Sequence, residues 1–543
     1  MAGLAKVLGS GAMTNSIRDI ENSQVILVAG SNTTETHPVI AAAIKRAVQF
    51  RGARLIVADP RRIKLTEYAH IWLRPKPGTD IAWINSLLNV ILDQGIQDQD
   101  YIDRNTRDWD RLREHVRSYT PEYARKISGI PEEDLIRAAQ LYGQARPASI
   151  WYTMGITQHT CGTDNVLALA NLALACGNVG VPGGGINPLR GQNNVQGACD
   201  MGALPEVYSG YQKVSDPGHW YKMASSWGVH HLPAIPGLRM TEMFPAAREG
   251  RIKGMYIIGE NPVLSDPDNF NTHNSLDQLD FLVVQDIFFT ETAAKADVIL
   301  PACSYAEKDG TFTNTERRVQ RVRPAISPAG NSRPDWEILA DLASRFGYPM
   351  SYDSPREIMQ EIARLTPSYA GIEYSRLEKE GIQWPCPEPG HPGTEVLHSG
   401  GFPEDPARFQ CVSHSPPAES VDQEHPLWLT TGRMLYHYHG GSMTRKVRGL
   451  NLLGREPFVE VSGRDAHNLG LKDWTRVVIT SRRGRIQARA RIVPGTEPGT
   501  VFIPIHFAEA AANVLTSPAT DPVSGIPEYK ACAVRLEKGV NDD

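Results

Sequence analysis

The sequence predicts an α/β fold: two α/β domains with parallel sheets, then a small barrel of short strands. Three observations predict it. Short apolar runs rich in β-branched residues alternate with helix-like stretches, first through residues 24–190 and again through 254–301. Prolines then crowd residues 351–425, which disfavours regular elements there. Beyond them come strands of period two with glycine turns between. At 543 residues the chain is too long for one core, so roughly three or four domains are expected.

The first domain is placed at 1–190. A strand at 24–30 ends in Gly30, a helix follows at 39–51, and a second strand at 54–60 closes on Asp59-Pro60. Strand, helix, strand with this composition implies parallel pairing and a right-handed crossover. Ligands of such sheets bind beyond the carboxyl ends of the strands. Asn32, Thr36, Asp59 and Arg61 all fall just after strand ends. The Gly-x-Gly-x-x-Gly fingerprint of a nicotinamide site is missing after the first strand. A later strand at 149–158 runs into Gly155 and Gln158, and a helix at 164–175 stops at Gly177.

A second α/β domain is placed at 191–350, with strands at 254–262, 281–286 and 296–301 that repeat the layout of the first. Two dinucleotide-binding-like halves are therefore expected. Residues 351–425 read as an irregular proline-rich connection. Residues 426–543 read as a barrel, antiparallel by its alternation, with strands at 428–431, 476–480, 484–492 and 500–504.

Composition excludes several classes of protein. Hydrophobic residues at 41% and charged residues at 22% are those of an ordinary globular chain. A formal charge of −5, from 56 basic and 61 acidic residues, does not suit a nucleic-acid or anionic-membrane partner. No apolar run reaches the ~20 residues of a membrane span, and the first residues lack a signal-peptide layout. A cytoplasmic protein is expected. Its seven cysteines are widely spaced with no Cys-x-x-Cys, so neither a disulfide framework nor an iron–sulfur cluster is expected within it.

The most informative stretch is Asn187-Pro-Leu-Arg-Gly-Gln-Asn-Asn-Val-Gln-Gly-Ala-Cys-Asp-Met-Gly-Ala-Leu-Pro205. It is too polar for a core element. Arg190 is the one cation, set among Gln192, Asn193, Asn194 and Gln196, with Gly191 and Gly197 allowing close backbone approach. Side-chain amides donate and accept in fixed planar geometry, so the loop suits a large polar ligand beside a small anion. The segment 430–444 is the other unusual one, with His437 and His439 two apart as a strand would hold them. No carboxylate or cysteine adjoins them, so a zinc site is not expected.

Residues 187–205, and the chain from Met1 to Arg535, resemble the alpha subunits of formate dehydrogenases in the molybdopterin oxidoreductase family. The resemblance implies a bis-(molybdopterin guanine dinucleotide) cofactor carrying molybdenum or tungsten, and a last domain that is a double-psi barrel. Arg190 would orient formate and Gln192 would lie near the metal. The cofactor would be held by Asn32, Thr36, Asp59, Arg61, Gly78 and Asp80 on one side, and by Met154, Gly155, Gln158, Gly191 and Gln196 near the pterin. Glu260, Gln285, Asp286 and Asp335 would serve the second half, with Asp335 a partner for guanine. Thr431, Arg433, His437 and Tyr438 would contact the pterin from the barrel, and Asn513, Tyr529 and Lys530 would close over it. His159 and Cys161 would line the site.

The family's metal ligand is a selenocysteine or cysteine followed by His, shortly before Val-Ala-Gly-Leu, whereas this chain begins Met1-Ala-Gly-Leu4. The resemblance therefore implies that the ligand and a 4Fe-4S domain lie outside these residues, no metal ligand within them, and a start just downstream of an in-frame selenocysteine codon. It also implies inactivity of this chain alone, and partner subunits with iron–sulfur or flavin centres. Another molybdopterin oxidoreductase, such as a nitrate reductase, and a cofactor-binding fragment without catalysis remain the alternatives.

Overall fold

The computed structural model describes residues 1–402 and 406–539. They form two compact units, 1–191 with 396–543, and 192–395.

The first unit begins with a parallel sheet of β1 (Val25–Ala29), β2 (Arg54–Ala58), β3 (Ile71–Leu73), β4 (Ala148–Tyr152) and β5 (Ile186–Pro188), in the order β3-β2-β1-β4-β5. Every residue of β1 is buried because both faces of the sheet are covered. Val25, Leu27 and Ala29 face one core with the helices α2 (Asp80–Asp93) and α3 (Gly162–Ala175). Ile26 and Val28 face the other, with Ile40, Ile44 and Ala47 of α1 (Pro38–Phe50). Pro38 suits the first turn of α1, where its missing N–H costs nothing.

The strand order reverses between β1 and β4, so the chain leaves their carboxyl ends in opposite directions and opens a crevice there. Gly30 and Gly155 stand at the two strand ends and touch: Gly155 N–H donates to the Gly30 carbonyl at 3.0 Å. Thr153 Oγ1 donates to the same carbonyl at 2.6 Å. A Cβ on Gly30 would lie 2.7 Å from the Gly155 carbonyl carbon, and Gly30 has φ +56.

The second unit holds a smaller parallel sheet, β6 (Gly254–Ile258), β7 (Phe281–Asp286) and β8 (Val298–Pro301), paired in sequence order. Its core gathers Ile257, Leu282 and Val284 with Phe244, Val263 and Leu276 from flanking helices. Part of the stretch expected to be irregular is helical, Pro355–Leu365, again with proline in the first turn.

The first unit also holds a closed barrel of β9 (Leu427–Gly432), β10 (Phe458–Val461), β11 (Arg476–Ser481), β12 (Arg485–Ile492), β13 (Thr500–Pro504) and β14 (Cys532–Lys538). It is the expected barrel, but it is not wholly antiparallel. β9 pairs with β13, and β10 with β12, in parallel. Alternation in sequence reports which face is buried and carries no strand direction, which is why that part of the expectation fails. Among the described residues no helix is long and apolar enough to cross a membrane.

Gly30→Ala should lower stability by about 1–3 kcal/mol through overpacking, with left-handed backbone strain in addition. The midpoint of chemical unfolding measures it, and an unchanged midpoint would contradict the backbone contact.

Candidate functional site

Residues from both parts of the first unit gather at the carboxyl ends of β1, β2, β4 and β5. Asp59 follows β2 and is 8% exposed. Its carboxylate accepts the Arg61 N–H at 2.9 Å, and burial raises its pKa to about 6 against the pull of the Arg61 charge. The Arg61 guanidinium donates to Glu460 of β10 at 2.8 Å and stacks 3.4 Å over the Phe502 ring of β13. Lys530, between the barrel's β13 and β14 in sequence, donates from Nζ to the Thr431 carbonyl at 2.5 Å. Burial, then Arg433 and Arg61, push its pKa down to about 7 while Asp59 holds it up. Burial also lowers the pKa of Arg433.

Three imidazoles complete the cluster. His37 Nε2 meets the Arg190 carbonyl at 2.6 Å, and its Nδ1 meets Thr36 Oγ1 at 2.8 Å. His439 Nε2 lies 3.3 Å from Arg433 Nη1. His506 Nε2 accepts the Met434 N–H at 2.9 Å, and its Nδ1 donates to the His439 carbonyl. Burial drops the pKa of His37 and of His439 to about 4, and that of His506 to about 3.

Beside these cations lie polar groups with no partner. Asn32 Oδ1 and Thr34 Oγ1, just past β1, are buried without a hydrogen bond. Leaving such groups unmade costs about 1–3 kcal/mol each, so an occupant that pairs them is favoured. A dinucleotide fits: its phosphates accept from Thr34 and the buried cations, and its hydroxyl and N–H groups donate to Asn32.

The other sequence-predicted residues are placed as follows. Arg190 closes β5 and donates from Nη2 to the Gly11 carbonyl at 3.2 Å. Gly191 lies under the His439 ring, whose Cε1 is 2.8 Å from the point a Cβ would occupy. Met154 is 39% exposed at the end of β4, in the short helix Met154–Thr157 where a strand was expected to continue. Gly155 forms the glycine contact already described, and Gln158 is half-buried just beyond the helix. Gly78 is needed for packing, since a Cβ there would lie 2.3 Å from Pro417. Asp80 is buried and accepts from the Trp83 indole at 3.1 Å. His159, 2% exposed, lies 3.8 Å from both Asp80 and Glu528. Thr431 Oγ1 donates to the Tyr529 carbonyl at 2.9 Å. His437 turns its ring nitrogens to the Gly454 carbonyl at 2.9 Å and Thr444 Oγ1 at 3.3 Å, which occupies both. Tyr438 packs edge-on against His439, and Asn513 and Tyr529 are half-buried.

Gln192 begins the second unit and is exposed. In that unit Gln196 gives its amide to Asp200 at 2.7 Å and to Tyr211 at 3.0 Å. A separate group sits at the end of β7: Gln285 donates to Asp335 at 2.7 Å and accepts from Tyr256, while Lys308 pairs with Asp335. Asp286 accepts the Phe288 N–H at 3.2 Å, and Glu260, exposed, accepts from Ser265 at 2.9 Å. Sequence reasoning missed Thr34, His37, His439 as a site residue, Glu460 and His506. The dipeptide His37-Pro38 directly after a strand-end turn was the available signal for one of them.

Two family models match the chain: Molybdopterin oxidoreductase over residues 4–345, and Molydopterin dinucleotide binding domain over residues 427–533. The chain belongs to the molybdopterin oxidoreductase family. It is 48% identical over 542 residues to the F420-dependent formate dehydrogenase subunit alpha of Methanocaldococcus jannaschii, covering 99% of this chain and 80% of that one. It is 38% identical to formate dehydrogenase H of Escherichia coli, over 99% of this chain and 76% of that one. Among solved structures, acetylene hydratase from Pelobacter acetylenicus superposes with a TM-score of 0.76 at 20% identity, over 99% of this chain and 80% of that one, which shows the shared fold. The molybdopterin dinucleotide that names the family agrees with the unpaired polar atoms and buried cations of the first unit.

Because folded His37, His439 and His506 titrate below the ordinary histidine value, the unfolded chain binds protons that the fold refuses between pH 6.5 and 4. Stability of the cofactor-free protein should therefore fall as pH drops through that window. Replacing all three with Gln should flatten the profile of unfolding midpoint against pH; identical profiles would contradict the burial of neutral imidazoles.

Proposed function

We propose that this chain is the greater part of a formate dehydrogenase catalytic subunit, oxidising formate to CO2 with a bis-(molybdopterin guanine dinucleotide) cofactor. The observation that carries the reading is Arg190, two residues beyond β5, whose backbone carbonyl meets His37 of the turn after β1. Identities of 38–48% over nearly the whole chain to proteins named formate dehydrogenases support it.

When bound, the molybdenum or tungsten centre supplies the acceptor for the two electrons of formate. Asn32, Thr34, Thr36, Asp59, Arg433 and Lys530 hold the nucleotide and pterin parts, with Arg61 fixed by Glu460 as a wall of the pocket. Gln285, Asp286 and Asp335 of the second unit hold the other guanine dinucleotide. Arg190 binds the substrate carboxylate through its planar fork of donors. Electrons leave through a 4Fe-4S cluster outside these residues and then through iron–sulfur or flavin centres on partner subunits. The relatives from Methanocaldococcus and Methanococcus are named F420-dependent, which supports F420 as the final acceptor.

Arg190→Lys keeps the cation and loses the fork. Losing one charged hydrogen bond predicts roughly 10- to 100-fold lower kcat/KM for formate in the full-length enzyme, at normal metal content. Wild-type efficiency would show that Arg190 does not bind formate, and lost metal would make the residue structural.

A further inference from the structure

We propose that His37 and His439 are positioning residues that clamp the Arg190–Gly191 backbone and thereby aim the Arg190 guanidinium at substrate; this rests on the formate reading above. The two imidazoles come from different parts of the first unit, His37 from the turn after β1 and His439 from the excursion after β9. They converge on consecutive residues. His37 Nε2 meets the Arg190 carbonyl at 2.6 Å. The His439 ring covers Gly191, with Cε1 2.8 Å from the point of a Cβ. Any side chain at 191 would displace the ring, so the glycine is what admits the clamp.

Both rings are themselves held. A carbonyl only accepts, so His37 carries its proton on Nε2, and Nδ1 is left to accept the Thr36 hydroxyl at 2.8 Å. Thr36 belongs to the short helix Thr33–Thr36 that follows Asn32, so its hydroxyl, giving its one proton to His37, ties the ring to the turn that bears the unpaired Asn32 Oδ1. His439 has φ 47, a left-handed conformation that a non-glycine residue keeps only when its surroundings enforce it. The enforcement is visible: His506 donates to the His439 carbonyl, and Arg433 lies against its ring. Backbone strain held by buried partners on one side, and a substrate-binding guanidinium on the other, is how a site keeps a long flexible side chain in one direction.

Neither imidazole touches substrate in this account. Each acts through residues 190 and 191, so its loss should appear in KM first. The test uses the full-length holoenzyme with steady-state formate oxidation, metal and guanine-nucleotide content, and inhibition by azide, a small non-oxidisable monoanion. His37→Ala should raise KM for formate and weaken azide inhibition by about 3- to 10-fold, the loss of one hydrogen bond, with cofactor content intact. His37→Gln, whose amide can donate to the carbonyl and accept from Thr36, should recover most of that loss. In the Arg190→Lys background, His37→Ala should add almost nothing, because both changes remove the same aim. If His37→Ala does not accumulate, Thr36→Val, which removes the anchor of the ring, should raise KM in the same direction.

Unchanged KM in His37→Ala or Thr36→Val, or full additivity with Arg190→Lys, would overturn the clamp while leaving the formate reading in place. Loss of metal in both His37 variants would make the residue part of the cofactor cradle and overturn it too. Wild-type kinetics in Arg190→Lys alone would overturn the formate reading, and the clamp with it.

Discussion

Two glycines let the carboxyl ends of β1 and β4 meet backbone to backbone, and the first unit's site depends on that contact. With Gly30 against Gly155, the reversal of strand order becomes a crevice whose walls are backbone and short polar side chains. A Cβ at either position would spread the strand ends and carry Asn32 and Thr153 apart. The turn after β1 then supplies Asn32, Thr34, Thr36 and His37 within six residues, and β5 brings Arg190 to the same edge. The sheet needs no rare residue to do this, only buried β-branched strands and glycine at the one crossing.

The barrel contributes charge to this edge. Burial lowers the pKa of Arg433 and brings that of Lys530 down to about 7, and Arg61 is drawn over Phe502 and paired with Glu460. Burying cations costs free energy unless an anion accompanies them. Of the nearby carboxylates, Glu460 is paired with Arg61, and burial raises Asp59 to about 6. Burial, and after it the charge of Arg433, holds the pKa of His37 and of His439 down to about 4. The cluster is arranged for a polyanion, and it agrees with the family to which the chain belongs.

Much of the fold is legible in the sequence because burial on both faces leaves a plain mark. The run from Val25 to Ala29 has no polar residue, and α3 is apolar nearly all round, so strand and helix could be placed within a few residues. The 187–205 loop stood out by its amides, and residues such as Asp59, Arg61 and Lys530 could be named from the resemblance. Other features left no such mark. Strand direction in the barrel depends on pairing between residues some 70 apart, as Trp428 with Thr500. Gly78 reads like a ligand-approach glycine, and nothing in the sequence shows that it also packs against Pro417, far away along the chain. His439 resembles its neighbour His437 in sequence, yet one ring is satisfied by Gly454 and Thr444 while the other covers Gly191. Only tertiary packing separates the two.

We infer that the crevice at β1 and β4, with its unpaired Asn32 and Thr34, holds the family's dinucleotide. A cryo-electron microscopy map of the purified, cofactor-loaded protein tests it most directly. The account predicts nucleotide density beyond the carboxyl ends of β1 and β2, with phosphate or ribose groups in hydrogen-bond distance of Thr34, Asn32 and Lys530. Density for the cofactor elsewhere, with those three side chains still unpaired or turned to water, would contradict it.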